Sequence, residues 1–200
     1  MKYFLTLLLT IQYFFTFGQN STSANDTIKG YKEFRKNLLK VEVFAYKGGN
    51  FTLGYERLLK EFISVETRLG IIGAGREREN QRGAFLRAGV KFLLDSKTSK
   101  EKNLNPLRGF YVRPDILIGR YHYEEWVICD IENRKNTIFS VTANIGFQHF
   151  MSKRLIFDVY VGLGLGNTTS INSGNYYGFY TLEFVYNYHF NAGFSLGYAF

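Results

Sequence analysis

The sequence predicts an all-β fold, an eight-stranded antiparallel up-and-down transmembrane β-barrel, and three observations carry that expectation. Apolar residues recur at every second position over one segment after another. The residues between them are charged, polar or glycine, which gives each segment one lipid-compatible face and one polar face. Composition agrees. Of 200 residues 20 are Phe, 15 are Tyr and 20 are Gly, against 2 Pro and 2 Met, a balance that favours strands and tight turns over helices. The mean hydropathy of −0.16 is compatible with this, because only alternate residues of a membrane strand face lipid.

The chain divides into residues 1–18, a cleavable signal peptide, residues 19–38, a polar periplasmic segment, and residues 39–200, the barrel. Lys2 forms a short positive n-region, and Phe4 to Phe17 is an apolar run too short for a membrane anchor and followed by Gln19-Asn20-Ser21-Thr22. No cysteine follows that run, so no lipoprotein anchor is expected. Gln19 to Leu38 carries Lys29, Lys32, Arg35 and Lys36 and reads as a lead-in to the first strand.

Alternation then marks the strands in order. Leu39 to Tyr46 and Asn50 to Leu58 flank the turn Lys47-Gly48-Gly49. Ile63, Val65, Thr67, Leu69 and Ile71 form one apolar face; Ala84, Leu86, Ala88, Val90 and Phe92 form the next. Gly109 to Tyr121 follows, with Phe110, Val112, Ile116 and Ile118 opposite Arg113 and Asp115; Pro114 on the lipid side predicts a local bulge. Phe139 to Phe147 and Leu155 to Leu165 alternate in the same way. Each face runs for about ten residues, the length a tilted strand needs to cross hydrocarbon. With the amino end in the periplasm, 47–50, 75–82, 122–136 and 166–188 become outer connections. The inner ones are 59–61, 95–107 and 151–154, and the length of 95–107 has no explanation in the sequence.

Alternation is symmetric between a soluble barrel and a membrane barrel, so the second face has to decide. It carries Glu42, Glu56, Glu66, Arg68, Arg87, Lys91, Arg113, Asp115 and Asp158, five acids against four bases. Such a set can pair across a narrow lumen. Eight strands enclose a space that side chains nearly fill, so a plugged barrel is expected instead of an open pore.

In the last strand Phe190, Ala192, Phe194, Leu196, Tyr198 and Phe200 lie in phase against His189, Asn191, Gly193, Ser195 and Gly197. This strand resembles the assembly signal of outer-membrane barrels, carried by Phe190, Phe194, Leu196, Tyr198 and Phe200. The whole mature chain resembles the small outer-membrane proteins of the OmpX type, the membrane domain of the OmpA type, and outer-membrane β-barrel families of unknown function. The segments Asn50-Phe51-Thr52-Leu53-Gly54-Tyr55-Glu56-Arg57 and Gly109-Phe110-Tyr111-Val112-Arg113-Pro114 carry that likeness. It implies export to the cell outer membrane, contact with outer-membrane lipid including lipopolysaccharide, and handling by the barrel-assembly machinery. It implies no cell-wall anchoring, since no peptidoglycan-binding segment follows the barrel.

Chemistry-bearing motifs are sparse. Gly73-Ala74-Gly75 has Arg78 where a dinucleotide loop needs its third glycine, and no amphipathic helix follows. Gly162, Gly164 and Gly166 read as lumen positions that leave room for long neighbours. The lone Cys129 allows neither an intramolecular disulfide nor a CxxC site. Net charge is +8, or +7 once Lys2 leaves with the leader, but the cations are spread over loops and strand ends. That distribution fits anionic head groups better than nucleic acid, and no cofactor or metal is expected.

His122, with Glu124, Glu125, Asp130 and Glu132, falls in an outer connection that would be the best place for an acid-base or metal site in a lipid A- or peptide-cleaving enzyme. An exposed acidic loop is the simpler reading, so the chain is expected to be non-enzymatic. His149 falls in phase with the lipid face, and His189 faces inward. His122, Trp126, Tyr176, Tyr177, Phe179 and Tyr180 are the candidates for binding an extracellular protein or glycan, because exposed aromatics offer area with a polar edge. An interfacial aromatic girdle is the alternative for the last four, and a small pore is the remaining alternative for the chain.

Overall fold

A computed structural model describes residues 35–43, 50–73, 82–94, 104–127, 130–168 and 188–200, with the backbone alone at 125–127, 130–131 and 167–168. The signal peptide, the Lys47-Gly48-Gly49 turn, Cys129 and the aromatic run Tyr176, Tyr177, Phe179 and Tyr180 lie outside these residues. The described chain is a closed antiparallel barrel in which each strand pairs with its sequence neighbours and the last pairs with the first. Its strands are β1 (Asn37–Glu42), β2 (Asn50–Lys60), β3 (Ile63–Ile72), β4 (Arg82–Leu93), β5 (Gly109–Val127), β6 (Asp130–Phe150), β7 (Leu155–Thr168) and β8 (Tyr188–Ala199). β1 begins two residues ahead of the expected Leu39, because Leu38 is fully buried and Asn37 already pairs with Arg57.

The alternating faces fall as the pattern dictates. Leu69, Ile71, Leu86, Phe92, Ile116, Ile118, Val161 and Leu163 are exposed on the outside of the barrel. Their neighbours Arg68, Arg87, Lys91, Arg113, Asp115 and Asp158 are buried inside it. This is the reverse of a water-soluble barrel, in which burying apolar area supplies the driving force and charges face solvent.

Pro114 departs from expectation. Its side chain is exposed on the outer face, but no bulge accompanies it: Gly89 pairs with Asp115 and Phe92 with Val112 in one unbroken register. The strand absorbs the missing N–H as a gap in the β4–β5 ladder, at Val90 and Lys91, while β6 stays fully paired with Pro114 opposite Ala143. The register shift that does occur lies between Leu58 and Lys60, beside the β2–β3 turn.

The connection expected at 122–136 is mostly strand. β5 pairs with β4 as far as His122 and β6 pairs with β7 from Ile138, but β5 and β6 stay paired with each other out to Val127 and Asp130. Among the described residues, Tyr123 to Val127 therefore adds five residues, roughly 16 Å of strand, beyond the pairing of β5 with β4. Alternation there is hidden by charges on both faces, so the ribbon read as a loop.

The interior is layered. At the end where β1 begins, Leu38, Leu58, Leu93, Leu107, Tyr111, Ile156, Tyr160 and Ala199 form an apolar cluster. At the other end Ile72, Phe85, Leu117, Tyr121, Tyr123 and Ile138 form a second. Leu107 explains part of the long 95–107 connection: its last residues turn under the barrel and put this side chain, 0% exposed, into the lumen. Asn105 holds the turn, donating from Nδ2 to Arg35 O (3.1 Å) and accepting from Leu107 N (3.0 Å). Leu107→Ala should open a cavity and cost roughly 2–5 kcal/mol, read by denaturant unfolding in detergent.

Candidate functional site

Between the two apolar layers sits a charged layer built from inward positions of β1, β2, β3, β4, β5 and β7. Among the described residues it holds five carboxylates, on Glu42, Glu56, Glu66, Asp115 and Asp158, and five cations, on Lys40, Arg68, Arg87, Lys91 and Arg113. All nine of the lumen charges expected from sequence are there, together and buried. Lys40 was missed, although it lies two residues before Glu42 on the same strand face; it turns a surplus of one acid into electrical balance.

At the centre, Glu56, Glu66 and Asp158 bring carboxylate oxygens within 4.8 Å of one another. Three such oxygens are a donor set for a hard cation. Two ammonium groups sit among these three carboxylates, and arginines supply the remaining countercharge. Lys40 Nζ reaches Asp158 at 2.6 Å and Glu66 at 3.1 Å, and also contacts Glu56. Lys91 Nζ reaches Glu66 at 2.8 Å and both Glu56 and Asp158 at 3.0 Å. Both lysines donate further to Gln148 Oε1, at 2.8 and 2.9 Å.

Arginines extend the network. Glu66 pairs with Arg113 Nη1 at 2.9 Å and with Arg68, whose Nη1 lies 3.2 Å from Glu42. Arg113 Nε pairs with Asp115 at 2.8 Å, and Arg87 lies 4.0 Å from the same carboxylate. Two tyrosines complete the layer, and neither was singled out from sequence. Tyr160 OH donates to Glu42 (2.5 Å) and accepts from Arg68 (3.2 Å) and Arg87 (3.1 Å). Tyr111 OH donates to Asp158 (2.6 Å) while its ring lies 4.0 Å from Lys91 Nζ. Gly146 and Gly193 make room for these rings, since a Cβ at either would sit inside the Tyr111 or Tyr160 side chain. A charged layer this closely paired can brace opposite walls of the barrel, as Arg68 of β3 does in reaching Asp158 of β7.

The histidines lie in three different settings. His122 is exposed at the base of the β5–β6 ribbon. His149 faces outward in a row of rings, 6.0 Å from Phe147 and 5.5 Å from Phe157, and that row continues to Phe110 and Phe194. His189 is buried over Gly166 on the lumen side. Of the candidate binding residues His122 stands on the ribbon, Trp126 has its backbone in β5, and Tyr176, Tyr177, Phe179 and Tyr180 lie outside the described residues.

No protein-family model and no curated protein matches the chain. Among solved structures it is similar to the crystal structure of the N-terminal β-barrel domain of Pseudomonas aeruginosa OprF. That match has 9% sequence identity and a TM-score of 0.45, over 82% of this chain and 96% of that one. On its own strand pairing, the chain is an all-β, closed, eight-stranded antiparallel up-and-down barrel.

Proposed function

We propose that this chain is a non-enzymatic integral outer-membrane barrel with a plugged lumen, supporting envelope integrity and presenting the β5–β6 ribbon for surface binding. One observation carries the reading: an apolar exterior encloses a neutral layer of ten paired charges. In water such an exterior would drive aggregation, whereas in hydrocarbon it is matched. The closed ladder leaves no strand edge within the barrel wall, as a bilayer requires. Exported after cleavage of residues 1–18, the chain would contact lipopolysaccharide and other outer-membrane lipid, with an extracellular protein or glycan as ribbon partner. The ion-paired carboxylates and the dispersed histidines favour a structural role over hydrolysis.

The test is reconstitution. The barrel should migrate with heat-dependent mobility on detergent gels and give no steady single-channel conductance in planar bilayers. Stable conductance steps would establish the small pore instead. Mobility indifferent to heat would remove the membrane reading.

A further inference from the structure

The end of the barrel where β1 begins is chemically unlike the other. Lys36 and Arg57 sit beside each other across the β1–β2 entry, where Leu58 N donates to Lys36 O at 2.8 Å. Lys60 lies between Leu59 and Phe62, 57% and 52% exposed. Lys153 and Arg154 lie between Met151 and Leu155, 55% and 50% exposed. With Arg35 and Arg108 the described residues of this end carry seven cations against one acid, Glu61, a balance of +6. At the ribbon end the described residues carry Arg82, Arg120, Arg134 and Lys135 against Glu124, Glu125, Asp130 and Glu132, a balance of zero.

Two of the basic side chains fix the shape of the rim. Arg35 Nη1 donates to Lys153 O at 2.9 Å, and Arg154 Nη1 donates to Tyr198 OH at 2.5 Å. Lys36, Arg57, Lys60 and Lys153 are exposed. In both hairpin turns the cation stands next to large apolar side chains that point away from the protein. An acidic soluble partner would need the charges but not these apolar neighbours. A phospholipid leaflet needs both, with acyl chains taking the apolar groups and phosphates taking the cations.

We propose that this rim is a binding site for anionic phospholipid head groups in the leaflet at the β1 end. The proposal rests on the membrane reading above. Each exposed cation near a negatively charged surface is worth about fivefold in affinity, so the rim selects anionic over zwitterionic lipid by about tenfold or more once several act together.

The full-length barrel would be reconstituted into phosphatidylcholine vesicles with and without added phosphatidylglycerol, extracted into detergent, and its retained lipid identified by native mass spectrometry. Wild type should retain phosphatidylglycerol at least about tenfold over phosphatidylcholine. The combined variant Lys36→Gln, Lys60→Gln, Lys153→Gln should lose that preference, and Arg120→Gln with Lys135→Gln at the other end should keep it. Equal retention of the two lipids by wild type, or an unchanged preference in the triple variant, overturns the proposal while the membrane reading stands. Failure of the wild type to insert overturns both.

Discussion

Glu66→Gln is expected to lower the stability of the barrel by roughly 3–5 kcal/mol, the largest effect of any single charge removal in the lumen. Glu66 lies within ion-pair distance of Lys40, Arg68, Lys91 and Arg113 together. The glutamine keeps the shape and removes the charge, leaving five buried cations facing four carboxylates. Buried pairs contribute little over a well-packed apolar alternative, but an uncompensated buried charge is costly. The sign of the rescue separates that account from simple misfit. Adding Lys40→Met restores neutrality and should recover part of the loss, although it removes further ion pairs. Urea unfolding in detergent micelles measures both. A double variant weaker than the sum of the singles would show that local packing, not charge balance, sets the cost.

The second large effect is expected at Gly146. In Gly146→Val the new side chain occupies the position of the Tyr111 ring, which stacks over Lys91 and binds Asp158 through its hydroxyl. Overpacking costs about 1–3 kcal/mol by itself, and losing a hydrogen bond to a buried carboxylate adds about 1.5–3 kcal/mol. Tyr111→Phe removes only the second part. Comparing the two unfolding midpoints therefore divides the effect between space and hydrogen bonding. If the two variants are equally destabilised, the ring fits elsewhere in the lumen and the glycine is not what seats it.

Period-two alternation made the barrel legible because the pleat forces neighbouring side chains to opposite faces and the exterior here is almost purely apolar. The same rule located nine of the ten buried charges. Lys40 escaped because it closes a run that begins with the basic stretch Arg35-Lys36, and a cation beside others reads as solvated. Leu107 escaped for a different reason: it lies in an irregular connection, where no periodicity says which way a side chain points. The β5–β6 ribbon reads as a loop because charged residues fall on both of its faces, Glu124 on one and Glu125, Asp130 and Glu132 on the other, and hide the alternation. Pro114 predicted an irregularity, and the chain met it with two unpaired ladder positions instead of an extra residue. For Lys40 and Leu107 the deciding fact is a contact made inside the barrel, which spacing along the chain does not encode.

The charged layer also has a mechanical meaning. An empty tube of hydrogen-bonded strands ovalises easily when squeezed from the side, because its wall bends without breaking any bond. Here Lys40 of β1 and Lys91 of β4 both grip Asp158 of β7, and Arg113 of β5 grips Glu66 of β3. These struts are chords between strands two or three apart, and Arg68 of β3 spans the full section to Asp158 of β7 on the opposite wall, so flattening the barrel strains ion pairs set at several angles. A barrel braced in this way would resist flattening, and the β5–β6 ribbon, continuous with two strands of that wall, would inherit its stiffness.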